Sequence, residues 1–143
     1  VTLVLFVAYR SIRIGLAIMF TALSEIFLVL GLAALIGWSI DLAAIAGLII
    51  TVGTGVNDQI VITDEALRRQ QEYMRSWKER LKRAFFIIFS AYFTLTVAMI
   101  PLLFAGAGLL KGFAITTILG VTMGVFVTRP AYAVLVEYIV GER

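Results

Sequence analysis

Three groups of polar residues lie inside apolar stretches, where each needs a chemical reason to be. The first is G-T-G-V-N-D-Q, residues 53–59, in which Asn57 and Asp58 stand side by side. An ionised side chain at membrane depth costs ~2.5–3.5 kcal/mol on insertion scales, so an acid there implies a partner or a function. A carboxyl withdrawn from water can load and release a proton, whereas Asn57 offers a donor and an acceptor but cannot titrate. The competing reading places Asp58 close enough to the membrane edge to be wetted, with a structural role only. The second group is Glu25, with Thr21 and Ser24 on the same side of its helix. It reads either as a proton relay or as a protonated side chain that joins helices by a hydrogen bond. The third is Ser90, Tyr92, Thr94 and Thr96. Hydroxyls in such a row can carry water or protons, but more commonly bond the carbonyl one turn back, and that is the reading adopted.

The chain contains no cysteine and no histidine. That removes disulfides, thiolate metal sites, the usual catalytic base and the commonest metal ligand. Proton loading at a carboxyl withdrawn from water remains available. No catalytic residue, metal or cofactor is expected beyond the proton itself, and the chain is not read as an enzyme.

These residues are positioned by elements that the composition already constrains. Of 143 residues, 62% are hydrophobic and 15% charged, against about 45–50% and about 25% in a soluble domain. A chain of this size cannot hide so much apolar surface from water. The fold class expected is all-α, a polytopic membrane helix bundle. Residues 1–9 are apolar but short of the ~20 needed to span a bilayer, and read as the last turns of a span that begins before Val1. Full spans are expected at 14–37, 42–63, 84–105 and 112–128, giving about five with the first truncated. Arg129 and Pro130 are expected to end the last one. Residues 64–83 hold four acids and seven bases, with Leu67, Met74, Trp77 and Leu81 at helical spacing. They are expected to form an amphipathic helix on the membrane surface. Nine bases fall at 10–13 and 64–83, while the opposite turns hold only Lys111. The positive-inside rule makes the basic side, with the C-terminus, cytoplasmic. It also explains the net charge of +3 without nucleic acid.

Small residues mark where helices meet. Ala43, Gly47, Thr51 and Gly55 recur every four residues, as do Gly112, Thr116, Gly120, Gly124 and Thr128. Such stripes let helix backbones approach closely in lipid. Gly47, Thr51, Gly53, Gly55, Gly120 and Gly124 are therefore the expected packing positions, with Asp58 beside the contact and Asn57 turned ~100° from it.

Three segments in combination carry a resemblance: A-G-L-I-I-T-V-G-T-G-V-N-D-Q-I-V-I-T-D-E (46–65), G-A-G-L-L-K-G-F-A-I-T (106–116) and V-F-V-T-R-P (125–130). Together they resemble the SecD family of protein-export membrane proteins, in wording closest to its archaeal members. SecD and its partner SecF belong to the resistance-nodulation-division (RND) superfamily of proton-driven transporters. The resemblance covers essentially the whole sequence. It implies the last five spans of a six-span protein, without the large extracytoplasmic region. It also implies a place in the cell membrane beside SecF, the Sec translocon channel and the translocating preprotein, with proton motive force assisting export. At the position of Asn57 the family typically has Asp, within V-D-A-N or V-D-D-Q. Asn57 would then be either an introduced neutral mimic of the proton-loaded state or a natural variant, since SecF proteins carry an N-D pair in this region; Asp58 and Glu25 are its neighbours in the relay. Ser90 likewise stands roughly where bacterial members have an Asp. Two other readings are a non-conducting scaffold that anchors an outer domain and docks SecF, and a fragment of an RND lipid or drug exporter. The K-G-F-A-I-T turn argues against the exporter.

Overall fold

A computed structural model describes residues 2–68, 77–105 and 107–141. Every regular element is helical, as the composition requires. In chain order they are α1 (Thr2–Tyr9), α2 (Ile12–Leu35), α3 (Leu42–Leu67), α4 (Trp77–Ala105), α5 (Leu109–Met123), a π-helical segment (Gly124–Thr128) and α6 (Arg129–Gly141). Among the described residues, four stretches are long and apolar enough to cross a membrane: Ile12–Leu35, Leu42–Leu67, Trp77–Ala105 and Leu109–Gly141.

The helix ends follow from local chemistry. At the end of α2, Gly37 adopts φ +68°, the left-handed conformation glycine tolerates best. Its N–H donates to Ala34 O, and that of Trp38 donates to Ala33 O, closing the last turn in a Schellman arrangement. α3 begins at Asp41, whose side chain accepts from the Ala44 N–H at 2.8 Å, satisfying one of the four open donors. α4 passes through Pro101 and continues to Ala105.

Two boundaries differ from the sequence-based expectation. First, both described ends of the surface helix expected at 64–83 belong to long helices. Asp64–Leu67 continue α3, and Trp77–Arg83 are the first turns of α4; residues 69–76, with Met74, lie outside the described residues. The reason is packing: Leu67, Trp77 and Leu81 lie against the central apolar cluster, so their stripe faces the bundle and not the headgroups. Arg80 is buried as well, at 6% exposure.

Second, the last span does not end at Arg129-Pro130. It widens into the π segment and runs on as α6 to Gly141. Pro130 has no N–H and its ring crowds the carbonyl four residues back, so the ladder must shift register here. A π turn absorbs that shift, and Pro130 then occupies the first turn of α6, where its missing donor is harmless. Arg129 consequently lies within one continuous helical stretch and is completely buried, not in a loop.

α3 is the centre of the bundle. It packs most extensively on α5 and also meets α2, α4 and α6. α4 is the most open of the four long helices, with only Arg80, Ala84 and Ile88 buried among its residues. The apolar core gathers around Ile14, Ile18, Val56, Ile62, Ile88, Tyr132 and Val136.

Candidate functional site

The expected small-residue contacts bring α3 and α5 together. A Cβ placed on Gly47 would lie 2.9 Å from Thr117 Oγ1 and 3.3 Å from Thr116 Cβ. One turn on, a Cβ at Gly120 would overlap the Thr51 side chain. A further turn on, Gly55 and Gly124 face the same pair of charged side chains. A Cβ at Gly55 would sit 2.9 Å from Arg129 Nη2 and 3.1 Å from Glu25 Oε2; at Gly124 it would overlap the Arg129 guanidinium and come within 2.8 Å of Glu25 Oε1. Gly53 differs from the expectation: nothing lies within 4 Å of such a Cβ. It is two residues from the contact line and so points to the outer side of α3.

Behind this glycine wall lies a buried ion cluster. Arg129 Nη1 donates to Glu25 Oε2 at 2.6 Å, and Arg129 Nε donates to Asp58 Oδ2 at 3.0 Å. The side chains of Arg129 and Glu25 are each 1% exposed and that of Asp58 is 16% exposed. Thr128 completes the site. Its hydroxyl accepts from Arg129 Nη1 at 2.8 Å, and its single proton is shared between Glu25 Oε2 at 3.1 Å and the Gly124 carbonyl at 3.0 Å. Glu25 Oε1 has no hydrogen-bond partner. One guanidinium thus faces two carboxyls, so the cluster is one negative charge in excess when both are ionised. Excess buried charge is strongly unfavourable, and a single added proton removes it. The planar guanidinium holds both carboxyls at once from different nitrogens, which an ammonium could not reproduce.

Asp58 and Glu25 are therefore brought together, and Arg129 is the residue that unites them. Asn57 is not in the cluster. It sits on the exposed side of α3, because adjacent helical residues diverge by about 100°. On the opposite flank, Asp58 lines a cleft of about 460 Å³ between α3, α4 and α5, with Thr54, Ser90, Tyr92 and Thr94. Ser90 and Thr94 donate to the carbonyls one turn back, of Phe86 and Ser90, each at 2.8 Å. Tyr92 reaches Thr122 at 3.1 Å, and the buried Thr96 hydroxyl is without a partner. In the Glu25 group, Thr21 and Ser24 also bond carbonyls four residues back, of Ala17 and Phe20.

The family model described as "Protein export membrane protein SecD/SecF, C-terminal" matches residues 1–137. The chain is 50% identical over 137 residues to the protein-export membrane protein SecD of Methanocaldococcus jannaschii, covering 96% of this chain and 34% of that protein. Identity to SecD of Methanothermobacter thermautotrophicus is 52% over 144 residues, covering 96% and 36% respectively. With SecD of Methanopyrus kandleri it is 48% over 145 residues, covering 100% and 36%. The chain spans about a third of the length of these relatives.

Proposed function

The chain belongs to the SecD/SecF family of protein-export membrane proteins, and on that premise we propose that its bundle is a proton-operated switch that assists export. The expectation that it is no enzyme agrees with that family, and the family match speaks against a drug or lipid exporter. The observation that carries the reading is the imbalance of the buried cluster, two carboxyls on one guanidinium. A proton reaching Asp58 or Glu25 neutralises the site, weakens one arm of the Arg129 contact, and so changes how α2, α3 and α6 are tied. Those helices meet at closely packed glycines, where small shifts produce discrete rearrangement and not gradual deformation.

In this reading the partners are SecF, the Sec channel and the translocating preprotein, in the cell membrane, with the basic ends at Arg10, Arg13 and Arg68 and the C-terminus cytoplasmic. The proton is the coupling ion and no other cofactor takes part. Asn57 holds the family's acidic position as a permanently neutral side chain, on the face of α3 left open for the SecF bundle.

Asp58→Asn and Glu25→Gln keep the shape of each side chain and remove its titration. Each is expected to assemble with SecF normally and to lower proton-dependent export by about tenfold or more in vesicles, the scale expected when a positioned proton-transfer group is lost. Normal export in both variants would refute the relay. Lost assembly would favour the scaffold reading.

A further inference from the structure

The inner face of α3 continues its polar register beyond the ion cluster. Gly55, Gln59, Thr63 and Ala66 are all buried there, and one turn separates Gly55, Gln59 and Thr63. Gly55 abuts Glu25 and Arg129. Gln59 is completely buried, and neither its oxygen nor its nitrogen has a hydrogen-bond partner. A buried unpaired amide is destabilising, and a leucine would fill much the same volume without that penalty. One turn on, Thr63 Oγ1 donates to the Gln59 backbone carbonyl at 2.7 Å and lies 2.7 Å from the Tyr132 hydroxyl. Thr63 has only one proton to give, so Tyr132 is the donor in that pair. Thr63 and Tyr132 are both fully buried. Tyr9 packs against the apolar cluster that contains Tyr132, and its hydroxyl donates to Asp64 Oδ1 at 2.6 Å, at the exposed end of the bundle. Polar groups thus recur at each turn from the cluster to the surface, at a rise of about 6 Å. The unpaired Gln59 amide offers a donor and an acceptor to a bridging water between the cluster and Thr63.

We infer that Gln59, Thr63 and Tyr132 form the path by which the cluster's proton leaves toward Asp64 at the basic end of the bundle, with Gln59 as the positioning residue that orients the bridging water. The inference rests on the proposed proton loading of the cluster and adds its exit. Outward transfer first turns the Thr63 O–H from the Gln59 backbone carbonyl to Tyr132 and the Tyr132 O–H outward; at each hydroxyl or water one O–H bond then forms as another breaks, so each station regains its charge. The amide of Gln59 holds its water without transferring a proton itself. Exchange from the cleft beside Ser90 and Thr94 reaches Asp58 from a different flank.

The test uses the full-length protein with its partner in vesicles containing a pH-sensitive dye, under an imposed proton gradient. Gln59→Leu and Tyr132→Phe are expected to slow proton flux about tenfold with an enlarged effect of heavy water. Thr63→Val should do the same and Thr63→Ser should restore the rate. In all of them the infrared carboxyl signal on acidification should persist, while Asp58→Asn removes it. Gln59→Leu removes an unpaired amide and is expected to fold at least as stably; Tyr132→Phe keeps its ring as the second probe. Unchanged flux in both, with the carboxyl signal intact, would overturn the exit path and leave the cluster reading standing. An unchanged signal in Asp58→Asn would instead overturn the cluster reading.

Discussion

Replacing Arg129 with methionine is expected to destabilise the bundle by about 3–5 kcal/mol, the range for removing one partner from a buried ion pair. Two carboxyls would be left behind the glycine wall, one of them already with an unpaired oxygen. They could persist only by taking up protons or drawing in water. Thermal unfolding in lipid or detergent measures the loss. Arg129→Lys should recover little of it, because an ammonium cannot span Glu25 and Asp58 from two fixed nitrogens. Adding Glu25→Gln and Asp58→Asn to Arg129→Met should recover much of the stability, since an all-neutral site carries no orphan charge, while export stays lost. A melting point unchanged in Arg129→Met would show that the cluster does not hold the helices.

Adding one methyl group at Gly124 should be nearly as damaging to function. The new Cβ would occupy the place of the Arg129 guanidinium, and the π turn on which Gly124 sits fixes the backbone on the other side. Overpacking of this kind costs about 1–3 kcal/mol. Here the side chain displaced is the one that unites the site, so export should fall further than stability does. Gly120→Ala should destabilise by collision with Thr51 and be relieved only in part by Thr51→Ala, which removes the two nearest atoms but leaves the Thr51 Cβ 2.8 Å away. Gly53→Ala is the control: its surroundings are open, and neither export nor melting should change. Equal effects at Gly53 and Gly124 would contradict the geometry.

Much of this arrangement was legible in the residues. Apolar run lengths located the four long helices, since lipid forces each span to satisfy its own backbone. The four-residue recurrence of Gly47, Thr51, Gly55 and of Gly120, Gly124 identified the α3–α5 contact. Glu25 and Asp58 were singled out because a charge in an apolar run is expensive. Arg129 was missed. It stands beside Pro130, and that pair ordinarily ends a helix; nothing in local spacing announces a π turn that carries the chain onward. The signal available was the excess of acid: two carboxyls within apolar spans call for a cation, and Arg129 is next to the glycine stripe. Gln59 was overlooked for a related reason, since its importance comes from what fails to face it. Asn57 was the converse case. Its sequence position drew attention to it, but helical geometry turns it away from the cluster to the open side of α3. The run at 64–83 read as a surface helix because charge dominated its composition, whereas Leu67, Trp77 and Leu81 belong to the core.

The claim on which all of this depends is that the charge of the Glu25–Arg129–Asp58 cluster selects the arrangement of the bundle. The chain has no cysteine, so spin labels can be placed singly on exposed sites such as Leu16 on α2 and Val134 on α6. The distance between them, measured by pulsed electron resonance in lipid across a pH series, is the direct test. The account predicts two distances whose populations exchange with pH, and one pH-independent distance once Glu25→Gln and Asp58→Asn are combined. A single distance at every pH in the unsubstituted cluster, or an undiminished pH response in the combined variant, would contradict it.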